Sequence, residues 1–226
     1  MTPPHIANIR SLAMRFLVAV LLSACFGLAQ AAPYQALKQQ DVVKQGEQGL
    51  ARAVIHVGQY AGDYPPKLDT PADRKKAEAD VRFLAAQTDK LMKGAKNANL
   101  LGWRARIYWM GHNLDIKGYA QEADKSYSQL LQLANDQQKP AVQEEYGRFL
   151  SSAAMTAKGE KMLRAAYNGG RKSSGFPLAL NLVAGGKTDE AKTILRRYVA
   201  DFPQDKQAAT VLDALESGKV QVKESN

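Results

Sequence analysis

Leu114-Asp115-Ile116-Lys117-Gly118-Tyr119-Ala120-Gln121-Glu122-Ala123 reads as the joint of a helical hairpin. Upstream, Leu100, Trp103, Ile107, Met110 and Leu114 fall at helical spacing, and downstream so do Ala120, Ala123, Tyr127, Leu130 and Ala134. Gly118 supplies the positive φ that a short turn between two helices requires. Counted from Gly111, the positions Leu114, Gly118, Ala123, Tyr127 and Leu130 lie at offsets 3, 7, 12, 16 and 19. Counted from Ala179, the positions Leu182, Gly186, Ala191, Leu195 and Tyr198 lie at the same offsets, and Pro203 closes that stretch. Between the two frames, Gly147 carries Leu150, Gly159, Leu163 and Ala166 at offsets 3, 12, 16 and 19. The outer frames are 68 residues apart, and the middle one is displaced from the midpoint by two residues.

The spacing has a packing rationale. A small residue at 111, 147 or 179 lets the second helix of each pair approach the first, and a small residue at 123, 159 or 191 sits where the two cross. On these residues the chain resembles the tetratricopeptide repeat family over about 104–203. It departs from the family pattern in having no Trp early in the first helix of any unit, and in Gly159 replacing Ala. The resemblance implies an all-α fold: a right-handed α-solenoid of about three antiparallel helix pairs and a capping helix over 97–217. Residues 34–96 are expected to form an N-terminal helical hairpin packed on the array, and 218–226 a disordered tail.

The rest of the chain agrees with a helical reading. Alternating apolar–polar runs rich in Val, Ile and Thr are absent. Val43, Leu50, Val54 and Val57 predict one helix over roughly 36–61, stopped by Tyr64-Pro65-Pro66. Thr70-Pro71 with Asp73 opens the next, and Ala77, Val81, Leu84, Thr88 and Leu91 form its buried stripe. At 226 residues and 45% hydrophobic, the chain has enough apolar mass for a core.

The first 31 residues read as an address. Arg10 and Arg15 are the only charges before position 38, Phe16 to Ala24 is apolar apart from Ser23, and Ala29-Gln30-Ala31 places small residues at −3 and −1. This predicts a signal peptide over 1–31 and a periplasmic protein, with Met1 or Met14 as the start. A second reading takes Leu22-Ser23-Ala24-Cys25 as a lipobox, with lipidation at Cys25 and a membrane-anchored lipoprotein.

Composition argues against several chemistries. One Cys and three His exclude a disulfide scaffold and a cysteine-rich zinc site. The pattern G-x-S-x-G is missing, and no paired carboxylates stand in an apolar context. Gly185-Gly186-Lys187-Thr188 lacks the leading Gly of a phosphate loop, because Asn181 stands there, and reads as a repeat turn. Gly169-Gly170-Arg171-Lys172-Ser173-Ser174-Gly175 reads as a solvated linker, with anion capture at the next helix start as the alternative. The net charge of +9 is spread along the chain without interleaved aromatics, so no nucleic acid is expected as partner.

What the resemblance implies for function is a non-catalytic scaffold, an adaptor or assembly factor for a protein or peptide in the cell envelope, with no catalytic residues, no cofactor and no metal. Membrane attachment enters only through Cys25. The implied groove is lined by Tyr108, His112 and Asp115, by Glu144, Arg148 and Ser151, and by Phe176, Leu180 and Val183. The plainer reading makes Glu144 and Arg148 a surface pair at i,i+4 and lets Phe176 and Leu180 touch the neighbouring helix. The rival functions are an envelope enzyme with an unrecognised site and a structural lipoprotein.

Overall fold

The structure is a computed structural model that describes residues 33–93 and 97–218. The stretch read as a signal peptide, Cys25 and the tail beyond Gly218 lie outside the described residues. Among the described residues the fold is all-α, with ten α-helices, one 3-10 turn and no strand. None of these helices is long and apolar enough to cross a membrane. The chain divides into two compact units at Ala134/Asn135, inside the stretch read from sequence as one array.

The N-terminal unit contains α1 (Gln39–Lys44), α2 (Gly46–Ala61), α3 (Pro71–Met92), α4 (Ala98–Asn113) and α5 (Tyr119–Leu133). α4 and α5 form the most intimate pair, and α3 packs on both α2 and α4. The single helix expected over 36–61 is instead two. Gly46 adopts φ +56°, which breaks the helical path, and α1 folds back against α2. Leu50, Val54, Val57, Val81, Leu84, Leu100, Ile107 and Tyr127 make the core. Thr70 Oγ1 accepts from Asp73 N at 3.0 Å, so α3 starts where the Thr-Pro pair predicts. Asn97 caps α4 by accepting from the backbone N–H of Asn99 and Leu100.

The C-terminal unit contains α6 (Lys139–Ser152), α7 (Thr156–Asn168), a 3-10 turn (Lys172–Ser174), α8 (Gly175–Ala184), α9 (Thr188–Asp201) and α10 (Lys206–Glu216). Each α-helix packs on the next in order. Leu163, Leu178, Leu182, Ala191, Leu195, Ala208 and Val211 form one continuous apolar cluster.

The offsets counted from the sequence fall on buried positions in three helix pairs. At offset 3, Leu114, Leu150 and Leu182 are buried; at offset 12, so are Ala123, Gly159 and Ala191; at offset 16, so are Tyr127, Leu163 and Leu195. The frame origins are places of close approach. A Cβ at Gly111 would enter the Tyr119 ring, and one at Gly147 would stand 2.5 Å from Leu163 Cγ. Offset 7 is left-handed in all three pairs. Gly118 has φ +85° and Gly186 +77°, as expected, but the middle residue is Ala154 at +59°.

That Ala closes α6 as a Schellman turn, with Ala154 N donating to Ser151 O and Met155 N to Leu150 O. α8 ends the same way at Gly186 and Lys187. An Ala in this conformation carries a Cβ–carbonyl clash of about 1–2 kcal/mol, partly offset by the backbone entropy that Gly loses on folding. Ala154→Gly is therefore expected to stabilise the C-terminal unit by about 0.5–1 kcal/mol. A rise in the urea midpoint followed by circular dichroism would show it, and an unchanged or lower midpoint would refute the turn assignment.

Candidate functional site

The nine positions named from the repeat frame meet different fates. In the N-terminal unit, Tyr108 is only 8% exposed. Its ring lies 4.8 Å from that of Tyr119 and 4.6 Å beneath the Arg104 guanidinium, and its hydroxyl donates to Asp89 Oδ2 at 3.3 Å. Burial pushes the hydroxyl pKa up to about 12. Tyr108 is thus a packing residue, and the expectation of an open groove position there is corrected. The reason is Tyr119, the first residue of α5, which covers it.

Arg104 is equally committed: Nε donates to Asp89, Nη1 to Ser126 and Nη2 to Glu122. His112 is half-buried. Asp115 is exposed in the turn after α4 and receives Arg74 Nη2 at 2.8 Å. On the same helix, the Arg106 guanidinium lies 5.1 Å from the Trp103 ring centre, and Trp109 meets Tyr127 edge-on at 6.5 Å.

In the C-terminal unit, the named residues lie on α6 and α8. Glu144 Oε2 accepts from Arg171 Nε at 2.5 Å, from Ser173 Oγ at 2.8 Å and from Ser174 Oγ at 3.2 Å. The basic, Ser-rich loop does capture an anion at the start of the next helix, and the anion is the chain's own carboxylate. Neither a bare solvated linker nor a free anion site describes it. Ser151 is also used internally: its Oγ donates to Gly147 O at 2.8 Å and accepts from Asn181 Nδ2 at 2.7 Å. Arg148, one turn before Ser152, is exposed.

Phe176 and Leu180 are half-buried against the apolar cluster, and Val183 is buried within it. Phe176 continues into an aromatic row, 5.7 Å from Tyr198, which is 4.6 Å from Phe202. Tyr198 donates to Asp205 Oδ2 at 2.9 Å, and burial, then this bond, pushes its pKa up to about 12.

Two asparagines escaped the sequence reading although they share offset 2 of the frame. Asn113 Nδ2 donates to Ala61 O at 3.0 Å, from the end of α4 to the end of α2. Asn181 makes the bond to Ser151 from α8 to the end of α6. Both side-chain oxygens are buried without a hydrogen-bond partner. The middle unit has Phe149 at this offset, so no shared letter signalled the role. The Asn181–Ser151 bond also explains Gly159: a Cβ there would stand 2.9 Å from both Asn181 Nδ2 and Ser151 Oγ, where Ala would collide.

The stretch Gly185-Gly186-Lys187-Thr188 forms the turn between α8 and α9. Lys187 Nζ donates to both Glu160 oxygens at 2.8 Å, and Glu160 also receives Arg164, which bridges to Glu190. Arg164 first, then Lys187, hold the Glu160 carboxyl below its usual range. Among the described residues, no group of three or more His, Cys, Asp or Glu could hold a metal ion. Comparison with family descriptions, with curated proteins and with solved structures finds no match to this chain.

Proposed function

We propose that the chain is an exported, non-catalytic scaffold that binds a protein or peptide of the cell envelope. In this proposal α4–α5, α6–α7 and α8–α9 are tetratricopeptide-like pairs of a right-handed solenoid, with α10 as cap. The observation that supports it is the recurrence, in three hairpins, of buried residues at offsets 3, 12 and 16 with a left-handed residue at offset 7. A frame that assigns its core residues so regularly leaves the other face of each first helix free to vary with the partner.

The contact residues assigned are His112 in the N-terminal unit, and Arg148 with the rim of Phe176 and Leu180 in the C-terminal unit. Tyr108, Glu144 and Ser151 serve the fold, and their loss would act through stability. The proposal is tested with envelope extract and immobilised chain. Proteins retained by the native chain and lost in parallel from folded His112→Ala and Arg148→Ala chains are expected, with affinity for the purified partner falling by about tenfold per contact. Retention unchanged by both substitutions would overturn the assignment of these faces. A chain released by export should begin at Ala32, whereas a lipidated Cys25 would support the lipoprotein reading.

A further inference from the structure

Residues 33–38 run without regular secondary structure as a strap onto the N-terminal unit, ahead of α1. The Tyr34 ring is 2% exposed and sits 5.0 Å from Tyr60, edge-on, and 5.7 Å from His56. Its hydroxyl donates to Asp80 Oδ2 at 2.8 Å, and the backbone N–H of Leu37 donates to the same oxygen at 2.8 Å. His56 Nε2 donates to the backbone oxygen of Gln35 at 2.7 Å. The receiving groups all belong to α2 and α3. Of the strap they read one tyrosine and two backbone atoms, which is how a groove reads an extended peptide.

The strap is joined to α2 by a joint that depends on two glycines. Gly46 holds φ +56°, and a Cβ on Gly49 would stand 2.6 Å from Val42 O. With side chains at both positions, the folded-back path of α1 is closed and 39–61 favours one straight helix, which would carry the strap out of its slot. With the strap in place Asp80 is 3% exposed, and the strap's two donors satisfy Oδ2 in place of water.

We propose that the Tyr34 slot is a recognition site for an extended, tyrosine-bearing segment, filled in cis by residues 33–38, and that its trans occupant is the strap of a second copy of this chain. A second copy offers the one segment whose fit the structure displays, and reciprocal exchange of two straps closes a two-fold pair without any new surface. Val43 of α1 and Leu91 of α3, exposed at 56% and 39%, line a small cavity together with Val42, Gly46, Leu50 and Gln87. This inference is independent of the first-helix faces assigned above.

The test uses a fluorescein-labelled peptide of residues 33–38 and the whole chain carrying Tyr34→Ala, whose own strap has lost its anchor. Saturable anisotropy is expected with Tyr34→Ala. Binding to the native chain should be at least tenfold weaker, because its tethered strap competes at an effective concentration of order mM. Binding should vanish in Tyr34→Ala/Asp80→Ala, with circular dichroism showing all three chains folded. No saturable binding to folded Tyr34→Ala, or binding that survives Asp80→Ala, overturns the slot. In a second arm, Gly46→Ala/Gly49→Ala is expected to give a concentration-dependent dimer by light scattering that returns to monomer when Tyr34→Ala is added. A folded double variant that stays monomeric overturns the second-copy occupant, and the peptide arm stands without it.

Discussion

Gly147→Ala is expected to destabilise the C-terminal unit by about 3 kcal/mol, the upper part of the usual cost of overpacking. The added Cβ would meet Leu163 Cγ at 2.5 Å, its Cδ2 at 3.0 Å and its backbone N at 3.0 Å. A side chain can rotate away from such a contact, but the backbone N–H of α7 can retreat only by moving the helix. Leu163 is itself fully buried in the apolar cluster, so its displacement would disturb α8 and α9 as well. Gly111→Ala makes a useful contrast. Its obstacle is the ring of Tyr119, a half-buried residue at the start of α5. That ring can swing outward, and the loss should be smaller. Urea denaturation followed by circular dichroism would rank the two. An equal or reversed order would mean that the close approach at Gly147 is not what fixes the α6–α7 pair.

Tyr127→Ala is expected to cost about 3–5 kcal/mol, the range for removing a large buried aromatic side chain. Tyr127 is 0% exposed, lies at offset 16 of its unit and meets Trp109 edge-on. The void would open between α4 and α5, the most intimate pair of the N-terminal unit. Tyr127→Phe should lose far less, because the ring volume that fills the space remains. A midpoint for Tyr127→Ala within about 1 kcal/mol of the native chain would show that the pair does not depend on this residue.

Positions with a chemical reason visible in their own neighbourhood were legible in the sequence. Leu150, Ala123 and Gly186 stand at spacings that only a helix pair explains, and Thr70-Pro71 marks a helix start through local hydrogen bonding. Illegible positions depend on residues far away in the chain. Glu144 looks like one end of a surface pair with Arg148, yet its carboxylate is gripped by residues 27–30 positions later. Tyr108 looks open until Tyr119 is laid across it.

Ala154 is a third case. Its left-handed conformation is set by the Schellman bonds at the end of α6, and Ala, unlike Gly or Asn, is not a residue that marks such a position in a sequence. The break at Gly46 was missed for a related reason. Glycine is tolerated inside a helix, so its presence at 46, 49 and 58 does not reveal which one bends the chain. The left-handed φ at Gly46 and the close approach of Val42 to Gly49 reveal it together.

Both tryptophans of the chain, Trp103 and Trp109, lie on α4. Intrinsic emission excited at the red edge therefore reports one half of the described fold and is silent about the other. A melt recorded that way would miss loosening of α6 to α10 altogether, and a disagreement between it and the ellipticity trace would measure how independently the halves come apart. Exchanging half-buried Tyr167 for tryptophan would install the second reporter.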